Sequence, residues 1–402
     1  MKKLFLALIL CASLSAFEYG SKGGFPALNK DSGLVFLNNA ATTQKPREVI
    51  DSLVDYYENY NGCLSRGNVV VCKNPMASYE NSRIVVADFI NASSEEIVFV
   101  RGATEGINFI AHSWAHNIEK DDEIVISALE HNANYLPWKN LCEVKGAKLH
   151  VIPLKDGHVD IGAYKNMITS KTKLIAISKI SNATGTYLPV KEIIAFAKEK
   201  DIPVLVDVSQ AIPYEKIDVK IMNPDFLVFS GHKMFSPEGI GVVYIKAERR
   251  EELTPYMYGG GMDINLFEAG TPSAADAYGL QTAIKFYQDN IDYSKLQKHL
   301  ARLCSRLIDG LEQIEGVTIY GDKEELKSKG HLVSFSAGDK DPFAIGRYLR
   351  MLGFVVRVGT HCSDLSRESF GYNDTIRVSF HCYNNAEDVD RLVNLLKRVC
   401  NV

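Results

Sequence analysis

The sequence predicts an α/β protein: a large domain with a mostly parallel sheet covered by helices, then a smaller α+β domain. Between about residues 94 and 245, short β-rich runs alternate with segments whose apolar residues recur at helical spacing. Such alternation is typical of a parallel sheet covered on both faces, with ligands at the carboxyl ends of the strands. Beyond a glycine-rich loop at 258–262 and two long helices, strand and helix segments are mixed.

The predicted strands of the large sheet are apolar runs that end in polar residues or turns. They span residues 96–100, 123–128, 148–154, 173–178, 203–208 and 225–230. The helices between them are expected to begin near Thr104, Asn134, Gly162 and Val190. Because every polar motif described below follows one of these strands, the sequence places a ligand site at one edge of the sheet.

The C-terminal third predicts a second, smaller unit. Helices are expected over 274–287 and 293–314, followed by strand and helix segments VTIYG, LVSFSA, PFAIGRYLRMLG, FVVRVG and IRVSF. An amphipathic helix over 386–399 closes the chain. The predicted organisation is therefore a large domain over 17–270 and connecting helices with a small domain over 271–402.

Composition excludes several classes of protein. The 402 residues are 46% hydrophobic and 23% charged, which is typical of a soluble globular chain and argues against disorder. Lys and Arg total 45 against 49 Asp and Glu, so the net charge is −4. Without a basic excess, no nucleic-acid partner is expected.

The first sixteen residues are typical of a Sec signal peptide. Lys2 and Lys3 precede the apolar run LFLALILCASL, and small residues follow up to Ala16. The run, at about 11 residues, is shorter than the roughly 20 that span a bilayer, so no stable membrane span is expected. The alternative is an N-terminal helix docked on the body, so the protein is expected to be periplasmic or secreted if the segment is cleaved, and otherwise cytoplasmic.

The eight cysteines are scattered and show no spacing typical of a zinc site. No metal is therefore expected. A Cys63–Cys72 bridge could form if the chain is exported.

Two residues predict covalent amine chemistry. Lys233 lies just after the apolar strand DFLVFS, where partial burial lowers a lysine pKa and favours Schiff-base formation. Asp207 ends the strand before it, where a carboxylate could keep the pyridine nitrogen of pyridoxal phosphate (PLP) protonated. A surface lysine and a structural carboxylate are the alternative interpretations.

A third segment, VRGATEGINFIAHSW, places a strand before small residues and a helix. Ala103 and Thr104 would present backbone N–H groups and a hydroxyl at the helix N-terminus, which suits a phosphate. With this phosphate site, the Lys233 amine and the Asp207 carboxylate, the sequence contains the three features that a PLP site requires.

The motifs LNNAATTQKP, RGATEGIN, EHNAN, SNATGTYLP, VDVSQA, SGHKM, FEAGTP and RVGTHC occur in order from about Phe25. On these motifs the chain resembles class V, fold type I PLP enzymes, and within them the cysteine desulfurase and selenocysteine lyase group. The resemblance implies a homodimer acting on an amino acid, with L-cysteine as the expected substrate and a sulfur-acceptor protein as a further partner.

The resemblance also implies residue roles. Lys233 would bond to the cofactor, Asp207 and Gln210 would contact its ring atoms, and His131 would stack on the ring and help to move protons. The phosphate would be held by Ala103, Thr104, Ser230 and His232, and by Thr271 from the other subunit. Asn182 and Arg377 would bind the substrate carboxylate, and Arg357 is a further expected substrate-binding residue.

Cys362 separates a sulfur enzyme from an ordinary aminotransferase. It lies in the polar loop RVGTHCSD beside His361 and close to Arg357, a setting that favours a thiolate. A thiolate there could take the substrate sulfur as a persulfide and leave alanine.

Several residues depart from the group's usual pattern. Ser65 and Val69 stand where two histidines are usual, and Asn38 replaces an aspartate. The loop after Cys362 lacks the usual Ala and Pro and reads Ser363-Asp364-Leu365. Two alternatives therefore stay open. One is another class V enzyme, such as an aminotransferase, epimerase or C–S lyase, in which Cys362 is incidental. The other is a catalytically weak PLP-binding protein.

Overall fold

The computed structural model describes residues 17–29, 33–64, 74–262 and 265–400. The predicted signal segment, Cys72, Ser65 and Val69 lie outside these ranges.

Strands and helices are numbered along the chain. The strands are β1 Val35–Phe36, β2 Ile97–Val100, β3 Glu123–Ser127, β4 Lys148–Ile152, β5 Leu154–Lys155, β6 His158–Val159, β7 Thr172–Ser178, β8 Val204–Asp207, β9 Phe226–Ser230, β10 Gly241–Ile245, β11 Val317–Tyr320, β12 Leu332–Ala337, β13 Phe354–Val355, β14 Arg357–Gly359 and β15 Thr375–Ser379. The α-helices are α1 Pro26–Asn29, α2 Arg47–Asn59, α3 Pro75–Ile90, α4 Ala103–Ser113, α5 Leu136–Lys145, α6 Ile161–Met167, α7 Val190–Lys198, α8 Val219–Met222, α9 Ala274–Asn290, α10 Tyr293–Leu311, α11 Lys323–Lys329, α12 Pro342–Met351, α13 Asp364–Phe370 and α14 Ala386–Cys400.

The large sheet has the strand order β2-β10-β9-β8-β7-β3-β4 in the described residues. All neighbours are parallel except at β10, which runs antiparallel to β2 and β9. Successive residues of β3 pack on opposite sides, with Ile124 and Ile126 in one apolar cluster and Val125 in the other. The sheet is therefore covered on both faces, and the predicted α/β class is confirmed.

Glycines allow the start of α4 to pack closely against the sheet. A Cβ on Gly241 of β10 would lie 2.5 Å from the Gly102 Cα, and one on Gly106 would lie 2.8 Å from a methyl of Val243. Larger side chains at these positions would push α4 away from β10. The close approach places the first N–H groups of α4 beside the end of β9.

The second sheet has the order β11-β12-β15-β14, with every neighbouring pair antiparallel. Its helices include α10 and α14, which approach so closely that a Cβ on Gly310 would meet Val393 at 2.6 Å. The two long helices predicted before this sheet are α9 and α10. The boundary near residue 270 stays a prediction.

The chain before α2 connects the two sheets. β1 pairs in parallel with β13, and the Asn39 side chain donates to the Ser379 carbonyl at 2.7 Å. Residues that follow Asn39 therefore lie between the small sheet and the ends of β8 and β9. No helix among the described residues is long and apolar enough to cross a membrane.

Candidate active site

A cavity of about 220 Å³ lies at the carboxyl ends of β8 and β9, beside the N-terminus of α4. It brings together every site residue predicted from the sequence except Thr271. These residues are Ala103, Thr104, His131, Asn182, Asp207, Gln210, Ser230, His232, Lys233, Arg357, Cys362 and Arg377.

Lys233 ends a short 3-10 turn that directly follows β9. The preceding carbonyl, of His232, accepts hydrogen bonds from the hydroxyls of Thr42 and Thr43 at 3.2 and 3.1 Å and from Lys45 Nζ at 3.2 Å. Burial lowers the pKa of Lys233, and Asp207 partly opposes that shift. The backbone of Lys233 is thus fixed, and its amine is easier to deprotonate than an ordinary lysine.

Asp207 is the last residue of β8 and is buried. Its Oδ1 accepts the Ser209 backbone N–H at 2.8 Å, which fixes the carboxylate in the cavity wall. Gln210 donates from Nε2 to the Ala40 carbonyl at 2.8 Å, so its side-chain oxygen remains as an acceptor. Both side chains are held by backbone groups on either side of the cavity.

The N-terminus of α4 forms one end of the cavity. The Ala103 N–H donates to the Ser230 hydroxyl at 2.8 Å, and the Ser230 N–H donates to the Ser209 hydroxyl at 3.3 Å. Burial, with Lys233 and Lys45 nearby, lowers the pKa of His232 to about 4. Backbone N–H groups, hydroxyls and the helix dipole therefore converge where an anion would be stabilised.

His131 also lines the cavity. Burial lowers its pKa to about 3, and Lys233, Arg377 and Arg357 add to the effect. Its Nδ1 accepts the Ala133 N–H at 3.0 Å, so the neutral ring carries its proton on Nε2. Behind it, burial raises the pKa of Glu130 to about 7.

Arg377 also lines the cavity, and not all of its hydrogen-bond donors have a partner. Its Nη1 donates to the Asn182 carbonyl at 2.6 Å, but its buried Nε has no hydrogen-bond partner in the described residues. Burial and the nearby Arg357 lower the pKa of Arg377 to about 10. A buried cation with an unpaired N–H suits a carboxylate ligand.

Cys362 is exposed in the loop between β14 and α13, and it lines both this cavity and a larger adjoining cavity of about 780 Å³. The neighbouring His361 is buried, and its pKa falls to about 2 because burial and two arginines disfavour its charge. Asn182 binds this loop: its Nδ2 donates to the His361 carbonyl at 2.8 Å, and its Oδ1 accepts the Ser363 hydroxyl at 2.9 Å.

Thr271 lies apart from the other predicted residues, in a separate cavity of about 350 Å³ beside Glu105 and Tyr256. Conversely, Ser209 and His361 line the central cavity although the sequence assigned them no cofactor or substrate contact. Ser209 follows Asp207 in the VDVSQA motif, which is the one signal that could have indicated it.

The comparisons with known proteins identify the family. Residues 35–392 match the model described as Aminotransferase class-V. The chain belongs to this family. Relatives include a probable cysteine desulfurase of Halalkalibacterium halodurans, 39% identical over 93% of this chain and 96% of the relative. A cysteine desulfurase of Salmonella typhimurium is 37% identical over 94% of this chain and 97% of its own.

Solved structures that are similar to this chain include two proteins named as cysteine desulfurases. The apo cysteine desulfurase of Thermococcus onnurineus NA1 is 32% identical, with a TM-score of 0.89 over 94% of this chain and 97% of that one. The cysteine desulfurase CsdA of Escherichia coli is 30% identical, with a TM-score of 0.87 over the same shares. The resemblance drawn from the motifs is confirmed, and the chain is a class V enzyme of the PLP-dependent, fold type I kind.

Proposed function

We propose that this class V enzyme is a cysteine desulfurase that converts L-cysteine to L-alanine and retains the sulfur as a persulfide on Cys362. The observation that carries the proposal is the shared cavity, which brings Cys362 together with Lys233 and Arg377. The relatives named above as cysteine desulfurases support the same reaction.

The residues that line the cavity fit PLP. Lys233 offers a partly buried amine to the cofactor aldehyde, and Asp207 offers a carboxylate to the pyridine nitrogen. The N-terminus of α4 offers backbone N–H groups, and Thr104, Ser230 and His232 offer side-chain donors to the phosphate. When bound, PLP supplies an electron sink for bond cleavage at the substrate's carbon atoms.

Lys233 and His131 supply the proton-transfer groups. Burial lowers the pKa of Lys233, so its Nζ can take up and return a proton at lower pH than an ordinary lysine. His131 holds a proton at Nε2 because its Nδ1 accepts the Ala133 N–H. The chain thus places one amine and one neutral imidazole at the same cavity.

Arg377 would orient the amino acid through its carboxylate. Its unpaired, buried Nε and remaining Nη2 can bind two carboxylate oxygens at once. Asn182, whose carbonyl holds Nη1 of this arginine, lines the same wall. The pair fixes the substrate's position, so that its side chain reaches toward Cys362.

In the sulfur step, the Cys362 thiolate attacks the sulfur atom of the substrate. A sulfur–sulfur bond forms while the bond between that sulfur and the substrate's β-carbon breaks, and the β-carbon keeps the electron pair. The β-carbon then takes one proton and becomes the methyl group of alanine. Cys362 is left as a persulfide, and no external oxidant is needed.

The proposal includes a homodimer and a sulfur acceptor. Thr271 lies outside the cavity of its own chain, which agrees with a role in the site of a second copy. Cys362 is exposed, so an acceptor can reach a persulfide formed there.

The test is product analysis with L-cysteine as the substrate. We expect alanine and sulfide in equal amounts in the presence of a reducing thiol, and neither from Cys362→Ala. Transamination or racemisation that persists in Cys362→Ala would favour another class V enzyme. Cofactor absorbance without turnover of cysteine or other amino acids would identify a weak PLP-binding protein.

A further inference from the structure

The loop that carries Cys362 has an unfavourable backbone. His361 and Cys362 both have positive φ angles, 58° and 55°, in the left-handed region. For residues other than glycine this conformation costs about 1–2 kcal/mol each. Two in succession require contacts from outside the loop to hold them.

Asn132, from the segment between β3 and α5, supplies such contacts on one side of the loop. Its backbone N–H donates to the Cys362 carbonyl at 2.7 Å. Its Oδ1 accepts the Asp364 N–H at 3.1 Å, and its Nδ2 donates to Asp364 Oδ2 at 3.1 Å. One asparagine therefore binds Cys362 itself and the residue two positions further on.

These bonds also fix the start of α13. Ser363, the N-cap residue of α13, makes no capping bond with its own side chain. The Asn132 amide takes that role for the Asp364 N–H from a distant part of the chain. On the other side, Asn182 binds His361 and Ser363. The loop is held between two asparagines, one of which, Asn132, lies outside the cofactor cavity.

We propose that Asn132 is a positioning residue that holds the Cys362 thiol where it can reach the substrate sulfur. The inference rests on the proposed role of Cys362. It assigns Asn132 no contact with substrate or cofactor: its side chain binds Asp364, its backbone N–H binds Cys362, and its carbonyl accepts the N–H of the nearby Tyr135. Loss of its side chain should therefore slow sulfur removal and leave substrate binding unchanged.

The test compares Asn132→Ala, the isosteric Asn132→Asp and the control Asn140→Ala. Asn140 is exposed in α5 and lines the same larger cavity as Asn132. Asn132→Asp keeps the side chain's shape but replaces the donor to Asp364 with a second carboxylate. In single-turnover experiments with the cofactor-loaded proteins, both Asn132 variants should release alanine about 10- to 100-fold more slowly than wild type.

Two further measurements separate positioning from damage to the fold. The dissociation constant of cysteine, from titration of the cofactor absorbance, should stay within about twofold of wild type in every variant, less than 0.5 kcal/mol. In the cofactor-free protein, the Asp364 amide should exchange its hydrogen faster in Asn132→Ala than in Asn140→Ala, because it has lost its acceptor.

Alanine release by both Asn132 variants at the wild-type rate would overturn the inference, as would an Asp364 amide that exchanges unchanged. Cys362→Ala is run beside them. If Cys362→Ala itself releases alanine at the wild-type rate, the proposed function fails. If it is inactive while the Asn132 variants match wild type, only the inference about Asn132 fails.

Discussion

Arg357 and Arg377 lie directly opposite each other on the antiparallel strands β14 and β15, and both line the cavity that contains Lys233. Like charges at opposed positions of a sheet are destabilising. Neither guanidinium has a carboxylate partner within 4 Å in the part of the chain that the structure describes. We therefore expect an anionic ligand to bind beside these two arginines.

We expect Arg377→Ala to raise the KM for cysteine about 10- to 150-fold, because a charge-assisted hydrogen bond contributes about 1.5–3 kcal/mol. The control is Arg350→Ala, since Arg350 is exposed on α12 away from the cavity. Steady-state kinetics checks the prediction. A KM within twofold of wild type would show that Arg377 does not bind the substrate carboxylate.

Borohydride reduction should attach the cofactor covalently to the wild-type protein and not to Lys233→Ala, since that variant lacks the amine. Mass spectrometry of the digested protein identifies the attachment site. A covalent adduct in Lys233→Ala would mean that another lysine carries the cofactor. Lys45→Ala is the matched control, because Lys45 binds the carbonyl of His232, the residue before Lys233, but does not line the cavity.

Asp207→Ala should lower turnover by orders of magnitude, because the ring loses the carboxylate that keeps its nitrogen protonated. Cofactor binding should weaken as well. Both effects are measured on the purified variant, turnover by alanine release and binding by absorbance titration with free PLP. Turnover near that of wild type would show that Asp207 does not act on the cofactor ring.

Acid should destabilise the fold through buried histidines. His331 stacks on Tyr214 at 4.0 Å between ring centroids, and neither of its buried ring nitrogens has a partner in the described residues. Burial lowers its pKa to about 3, and the positive charges of Arg377 and Lys233 add to the shift. As the pH falls below 6.5, the unfolded chain takes up a proton that the folded chain cannot, so stability is lost.

At pH 5, His331 lowers the free energy of unfolding by about 2 kcal/mol, because each pH unit below 6.5 costs about 1.36 kcal/mol. We expect the melting temperature to fall between pH 7 and pH 5, and to fall less in His331→Phe than in wild type. His116→Phe, at an exposed position, is the control. Equal pH dependence in His331→Phe and wild type would contradict this explanation.

The N-terminus should be processed near Ala16 if the first sixteen residues act as a signal. Chemical sequencing of protein from the native host should then start near Phe17, in the periplasmic or extracellular fraction. In the structure, the Phe17 ring packs against Tyr19 and Phe286 at 5.5 and 5.9 Å between centroids. Intact Met1 in a cytoplasmic fraction would show that the segment is retained.

Three of the parallel strands, β7, β8 and β9, could be predicted because each is a continuous, largely apolar and buried run. β7, β8 and β9 lie within one residue of their predicted limits. In contrast, the sequence does not predict β10, because Gly239 and Gly241, at and before its start, are more typical of a turn than of a strand. Its place between β2 and β9 depends on contact with Gly102, which is distant in the sequence.

In the candidate site too, some residues could be predicted from the local sequence, whereas others depend on contacts between residues that are distant in the sequence. Lys233 and Asp207 could be predicted because each directly follows or ends an apolar strand. The bond between Asn132 and Asp364 joins residues 232 positions apart, and no local pattern indicates it. Thr271 lies in a separate cavity from the other predicted residues. The role that the motif implies for it requires a second subunit, and that role stays a prediction.

The most direct test of the central claim is the location of the sulfur atom after one turnover. Cofactor-loaded protein is mixed with less than one equivalent of L-cysteine, the thiols are alkylated, and the peptide containing Cys362 is analysed by mass spectrometry. We predict one additional sulfur atom on Cys362 in an amount equal to the alanine released, and neither product from Cys362→Ala. Alanine release from Cys362→Ala at the wild-type rate, or sulfur on a different cysteine, would contradict the account.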